Sequence, residues 1–392
     1  MIKREQSKFR GLTIQRIRSD TLNQRKLSGP VRYAVVGLGH IAQAAVLPAF
    51  KHATRNSRLA ALFSDDEEKR RELARRYRVA IEAPYKDYDE VLRQGQIDAV
   101  YICLPNSMHC DFAVRAARAG VHVLCEKPLA VTEAECQKMI DACEKHRVKL
   151  MTAYRLHFEK SNLEAIEILK SGKIGRARYF NSIFSMQAKA PNIRLEEAAG
   201  GGPLHDVGVY CINAARYLFQ AEPLEARAMT ASSSDKRFRE VEEMVAATLM
   251  FPQDRVASFI CSFGAADVAT YTVVGTEGRF TLENAYEYVA PIQMETVIGD
   301  KRTVRKFEKR DQFAPQLLHF SDCIRQDKKP EPSGEEGLAD VRIAQAIYKA
   351  AKTGKAVKLA AVTKRQRPSL KQQMRRPAVR KPQLIRASPS SE

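Results

Sequence analysis

Arg32-Tyr33-Ala34-Val35-Val36-Gly37-Leu38-Gly39-His40-Ile41-Ala42 joins a short apolar run to a glycine turn. The run has the composition of a strand buried on both faces of a parallel sheet. Ile41, Ala44, Ala45 and Pro48 continue at helical spacing. Strand, G-x-G-x-x-A turn and helix in that order form a dinucleotide cradle, because the glycines allow a tight turn and close approach of a pyrophosphate to a helix N-terminus. Gly37, Leu38, Gly39, His40 and Ile41 are therefore candidate cofactor contacts.

Apolar strands follow at about 58–63, 98–103, 121–125 and 149–153, separated by helical patterns near 66–77, 109–119 and 132–146. The alternation predicts an α/β fold with an N-terminal Rossmann domain, a doubly wound parallel sheet. Such sheets bind ligands at the carboxyl ends of their strands. That rule places Leu104, Pro105, Asn106 and His109 from one loop, and Glu126 and Lys127 from the next, beside the cofactor. At the end of the second strand, Ser64 and Lys69 suit the extra phosphate of NADP, whereas Asp65 and Asp66 would repel it and suit the ribose hydroxyls of NAD. Ser64 and Glu67 also read as a capping box from their spacing. NADP is the expected cofactor and NAD the alternative.

After Met151 the pattern changes to a helix near 161–171 and strand-like segments near 176–187, 224–231, 243–252, 255–263, 270–275 and 278–283. A closing helix is predicted over 334–353, with Gly354 as its stop signal. These segments predict an α+β domain with a large, mainly antiparallel, open-faced sheet. Helices on one face leave the other to be covered, so a homodimer or homotetramer through that C-terminal sheet is expected.

Within this domain lies Gly200-Gly201-Gly202-Pro203-Leu204-His205-Asp206-Val207-Gly208-Val209-Tyr210. Pro203 suits a first helical turn, Asp206 and Tyr210 then share a helical face, and the glycines let backbone crowd against a ligand. A Tyr close to a positive charge can shuttle a proton near neutral pH, and Lys127 is the candidate cation.

The chain has a formal net charge of +19, but residues 1–30 carry eight Lys or Arg against two acids, and residues 361–392 carry nine against one. The body between them is nearly balanced, which argues against specific nucleic-acid binding. The expected division is a basic N-terminal arm over 1–30, an NAD(P)-binding Rossmann domain over 31–152, a substrate-binding and oligomerisation domain over 153–360, and a basic tail over 361–392, extended or disordered. No stretch approaches a membrane span, and the N-terminus has no apolar segment of a secretory signal. Eight cysteines without C-x-x-C spacing point to a reducing cytoplasm, and no Cys and His cluster has the spacing of a metal site.

Gly37 through Ala42, Glu126-Lys127-Pro128 and Gly200 through Tyr210, in this order, resemble the Gfo/Idh/MocA oxidoreductases, and most closely the glucose-fructose oxidoreductase branch. Arg194-Leu195-Glu196-Glu197, Tyr210 through Leu218 and Ser333 through Tyr348 extend the likeness, which covers roughly 31–360. The resemblance implies a nicotinamide-dependent enzyme acting on sugars or related polyols, with Lys127, Asp206 and Tyr210 around the reacting carbon. Arg194 is assigned to the cofactor. Arg155 and His157 join Lys127, Asp206 and Tyr210 at the substrate, with Asn213 a lesser candidate. Many relatives carry His where Tyr210 stands, so this chain sorts toward sugar or diol oxidation. In that branch an N-terminal arm can lie across a neighbouring subunit, the role implied for residues 1–30. A diol or inositol dehydrogenase is the alternative within the family. A non-catalytic dinucleotide-binding regulator is the alternative of another class, and an intact Lys127, Asp206 and Tyr210 set weighs against it.

Overall fold

The computed structural model describes residues 29–360 and 367–387, so all but the last two positions of the expected N-terminal arm lie outside the described residues. β1 (Val31–Val36), β2 (Ser57–Phe63), β3 (Ile81–Ala83), β4 (Ala99–Ile102), β5 (His122–Cys125) and β6 (Leu150–Thr152) form a parallel sheet in the order β3-β2-β1-β4-β5-β6. Val31, Tyr33 and Val35 pack into one core and Ala34 and Val36 into another. Burial on both faces is why β1 is a continuous apolar run rather than an alternation. A π-helical turn, Ala42–Val46, and α1 (Leu47–Ala49) follow the glycine loop, and α2 (Glu67–Tyr77), α3 (Tyr88–Arg93), α4 (His109–Arg118) and α5 (Glu133–Lys145) link the later strands. Strand order reverses between β1 and β4, which opens the ligand crevice at their carboxyl ends.

The second sheet contains β7 (Ala177–Gln187), β8 (Glu225–Ala231), β9 (Met244–Phe251), β10 (Arg255–Ser262), β11 (Gly264–Gly275), β12 (Gly278–Glu283), β13 (Ile292–Ile298), β14 (Lys301–Phe307) and β15 (Val357–Lys358). Their order is β14-β13-β12-β11-β7-β10-β9-β8-β15, antiparallel throughout except where β7 meets β10. The helices of this half are α6 (Lys160–Lys170), α7 (Val209–Phe219), α8 (Ala314–Arg325) and α9 (Gly334–Thr353). Every residue of α7 is buried, between α6, α9 and the inner face of the sheet. The outer face exposes Tyr179, Met229, Ile260, Val268 and Val304. The register keeps them on one side: Met229 stands opposite Ala246, Ala246 opposite Ile260, and Ile260 opposite Ile183.

One feature differs from the expected division. α8 lies inside the span assigned to the second domain but covers the first sheet. Tyr33 Oη and Ser57 Oγ each stand 2.8 Å from Ser321 Oγ, and Leu317, Leu318 and Phe320 fill the same core as Val31 and Val35. The reason is physical: with one face of β1 and β2 otherwise open, an apolar helix from outside the Rossmann segment closes it. The basic tail, expected to be extended or disordered, docks on the folded body over its described part. Residues 367–387 run as an extended strap across both domains, from Arg367 Nη2 on Glu222 Oε1 at 2.6 Å, past Arg376 Nε on the His52 carbonyl at 3.2 Å, to a buried Ile385. Among the described residues no helix is long and apolar enough to cross a membrane, and the cysteines are all free and buried.

Candidate active site

Lys127 leaves the carboxyl end of β5, where the Glu126 N–H still donates to the Ile102 carbonyl of β4 at 3.0 Å. The strand therefore delivers the lysine to the mouth of the crevice. Facing it, the chain from Leu204 to Gly208 makes a π-helical turn before α7 begins. Such wide turns recur at functional sites because they free backbone groups. Here the Asp206 carbonyl accepts from Lys127 Nζ at 2.7 Å, and the Asp206 carboxylate accepts from the same nitrogen at 2.8 Å. Arg194 Nε takes the other carboxylate oxygen at 2.5 Å.

The charges in this triad reinforce one another. Burial works against the Lys127 charge, but Asp206 outweighs it and holds the ammonium above its ordinary value. Burial also opposes the Asp206 carboxylate, yet Arg194 and then Lys127 hold its carboxyl well below the usual range. Lys127 is thus a persistent cation, with two of its N–H groups committed to Asp206. Its Nζ stands 4.8 Å from the Tyr210 ring centre, and the Arg155 guanidinium approaches the same ring at 5.1 Å. Phe184 and Tyr286 close the remaining sides, with ring centres 5.7 and 5.9 Å from Tyr210.

The glycines divide their work differently from the expectation. A Cβ on Gly200 would come within 2.5 Å of Val131 Cγ2, and one on Gly201 within 2.4 Å of the Arg194 carbonyl. They admit protein rather than ligand, and so bring the Arg194 loop against Asp206. In the first glycine turn, Gly37 has φ +92° and a Cβ there would meet the Cys103 carbonyl at 2.5 Å. A Cβ on the exposed Gly39 would meet nothing within 4 Å. Gly39 therefore keeps open a cradle at the start of a helix, beside Leu38, His40 and Ile41. Ser64 Oγ, at the end of β2, accepts from the Asp66 N–H at 3.2 Å, and Lys69 Nζ lies 3.6 Å from Asp66. These residues fit a dinucleotide with its pyrophosphate at Gly39.

Several candidates take other positions. His157 is fully buried, 2.9 Å from Asn213 Oδ1 and 3.4 Å from Glu331, so packing removes both His157 and Asn213 from a substrate's reach. His109 is also fully buried, between the Pro128 and Leu104 carbonyls at 3.0 Å each, and joins the two loops instead of touching a cofactor. Leu104 and Glu126 are buried, with Glu126 accepting from Tyr101 Oη at 2.8 Å. Asn106, following Pro105, donates to the Gly200 carbonyl at 2.8 Å and ties the domains together. Arg194, expected at the cofactor, gives its Nε to Asp206. Arg155 is buried, donating to Gln312 and the Tyr286 carbonyl, so it reaches the site through the Tyr210 ring. Tyr286 and Phe184 were missed, because a core aromatic and a site aromatic have the same sequence signature.

Residues 31–154 match an oxidoreductase family with an NAD-binding Rossmann fold, and residues 162–281 match the GFO/IDH/MocA C-terminal domain. The chain is 37% identical to a crystal structure of aldose-aldose oxidoreductase from Caulobacter crescentus complexed with glycerol. That match has a TM-score of 0.80 and covers 84% of this chain and 100% of that one. It is 29% identical over 350 residues to a D-xylose 1-dehydrogenase (NADP(+)) of Haloarcula marismortui, covering 87% of this chain and 97% of that protein. A second D-xylose 1-dehydrogenase (NADP(+)), of Haloferax volcanii, is 31% identical over 331 residues, covering 83% and 99%. With both halves matched in chain order around the Lys127, Asp206 and Tyr210 constellation, the chain belongs to the Gfo/Idh/MocA oxidoreductase family.

Proposed function

We propose that this chain is an NADP-dependent sugar oxidoreductase, transferring hydride between the cofactor and a C–OH or C=O group of an aldose or related polyol. The observation that carries the reading is Lys127 clamped on Asp206 beside Tyr210, between the Rossmann strand ends and the second sheet. Relatives named as NADP-dependent xylose dehydrogenases and as an aldose-aldose oxidoreductase support the substrate class and the cofactor. When bound, the nicotinamide supplies the hydride acceptor. Tyr210 takes the proton of the reacting hydroxyl, or returns it in the reverse direction. Lys127 donates its remaining N–H to the substrate oxygen and stabilises the negative charge that develops there. Asp206, saturated by Lys127 and Arg194, orients the lysine. Arg155 positions the Tyr210 ring.

Denaturing the purified protein should release NADP or NADPH. Adding aldoses, polyols and diols one at a time should change reduced-cofactor fluorescence with the aldoses foremost. If neither cofactor binds, the reading is wrong; if diols or inositols turn over best, the sugar assignment is wrong.

The eight buried free thiols suit a reducing compartment, and cytoplasmic residence is part of this reading. So is a homo-oligomer through the outer face of the second sheet, on which Tyr179, Met229, Ile260, Val268 and Val304 stand exposed. Light scattering is expected to give the mass of at least two chains, and a single-chain mass would remove this part.

A further inference from the structure

Four carboxylates, Asp65, Asp66, Glu67 and Glu68, follow Ser64 at the end of β2, with Lys69, Arg70 and Arg71 directly after them. On charge alone that turn would repel a phosphate. Each carboxylate, however, is engaged. Asp65 Oδ1 accepts from the Tyr85 N–H at 2.8 Å, Asp66 Oδ1 caps α2 by accepting from the Lys69 N–H at 3.1 Å, and Glu67 pairs with Arg71 at 2.5 Å. Glu68 takes Arg386 Nη1 at 3.0 Å, and Arg386 Nε lies 3.4 Å from Asp66 Oδ2. Besides Lys69 and Arg70, whose Nη1 donates to the Ser64 carbonyl at 2.6 Å, a further cation of the ribose corner thus comes from the far end of the chain.

The strap that delivers it is fastened to the glycine loop itself. The Gln43 amide donates to the Ile385 carbonyl at 2.9 Å and accepts from the Ile385 N–H at 2.8 Å, and its nitrogen also donates to the Leu38 carbonyl at 2.8 Å. Arg76 of α2 donates to the Gln383 carbonyl at 2.6 Å. Arg386 holds φ at 45°, a left-handed backbone that a non-glycine residue keeps only where its surroundings fix it.

We propose that the C-terminal strap completes the cofactor site, with Arg386 as the guanidinium that grips the phosphate on the adenosine ribose of NADP. The proposal rests on NADP being the cofactor. Ser64, Lys69 and Arg386 converge on Asp66 at the amino end of α2. A guanidinium matches a phosphate with a planar fork that an ammonium lacks. NADP binding and strap docking then favour each other by reciprocal linkage.

The test is calorimetric titration of the full chain with NADP+ and with NAD+, in the wild type and in Arg386→Ala and Arg386→Lys. Tryptic cleavage within residues 367–387 is followed in parallel, with and without each cofactor. Arg386→Ala is expected to weaken NADP+ binding about ten- to a hundredfold while NAD+ binding holds. Arg386→Lys is expected to recover part of the loss, and NADP+ to slow cleavage of the wild-type strap more than NAD+ does. A wild-type preference for NAD+ overturns the cofactor reading and the inference with it. A wild-type preference for NADP+ that Arg386→Ala leaves intact overturns the inference alone, as does an equal loss of both cofactors.

Discussion

Lys127→Met is expected to lower turnover about a thousandfold, which corresponds to about 4 kcal/mol of transition-state stabilisation, while cofactor affinity changes little. The asymmetry follows from geometry. Lys127 sits on Asp206 and over Tyr210, whereas the dinucleotide cradle is built by Gly39 and the strand ends. The variant should fold, because Asp206 keeps Arg194 at 2.5 Å and is not left as an unpaired buried charge. Tyr210→Phe is expected to lose about a hundredfold or more, since the phenolic oxygen is the proposed proton carrier. Single-turnover hydride transfer measured beside cofactor titration separates the two effects. Near wild-type turnover in either variant, or a cofactor loss as large as the turnover loss, would remove these residues from the chemistry.

The first domain was legible because its signals are local. Val31–Val36, the glycine turn and the regular return of apolar strands need no partner from outside the segment to be read. The short β3, three residues at the edge of the first sheet, is below the length at which a pattern forms. The β13 and β14 hairpin was missed for another reason. Lys301-Arg302-Thr303-Val304-Arg305-Lys306-Phe307 is an exposed edge strand, and charge that guards an edge erases apolar alternation. The helical periodicity of α8 says that it is amphipathic, not which sheet it covers; that depends on Tyr33 and Ser57, more than 250 residues away.

The site divides along the same line. Lys127, Asp206 and Tyr210 could be named from spacing and residue type, but their arrangement depends on Gly201 admitting the Arg194 carbonyl and on Asn106 bonding Gly200. His157 was drawn in by residue type, and its burial, which sequence does not display, takes it out. Arg386 had no signal at all. It stands in a tail of low apolar content, and its role is visible only once Gln43 is seen to hold Ile385.

Arg216→Met is expected to cost about 3–5 kcal/mol of folding stability, because it leaves a buried cluster of carboxylates without its central cation. Arg216 is fully buried and meets Glu222 at 2.6 Å, Asp340 at 2.5 Å and Glu336 at 3.1 Å. Three carboxylates on one guanidinium leave an excess of negative charge. Arg367 of the strap shares Glu222. Burial, opposed by Arg216 and aided by Glu336, pushes the Asp340 carboxyl up to about 6. Native Asp340 therefore keeps its proton to about pH 6, whereas the unfolded chain releases it near 3.8. Its stabilising contribution is full below that lower value and is lost as pH rises through 6. Removing the guanidinium takes away the charge that opposed burial, so the carboxylates hold their protons to still higher pH. The destabilisation should be greater at about pH 8 than at about pH 5, as read from urea midpoints. The effect reaches the chemistry through α7. Asn213 donates to Glu336 at 3.0 Å and to Asp340 at 2.8 Å, one turn from Tyr210 on the same helix. A stability loss that does not grow with pH would mean that the guanidinium does not set the proton affinity of these carboxylates. A loss below about 1 kcal/mol would mean that α7, and Tyr210 with it, is held by packing alone.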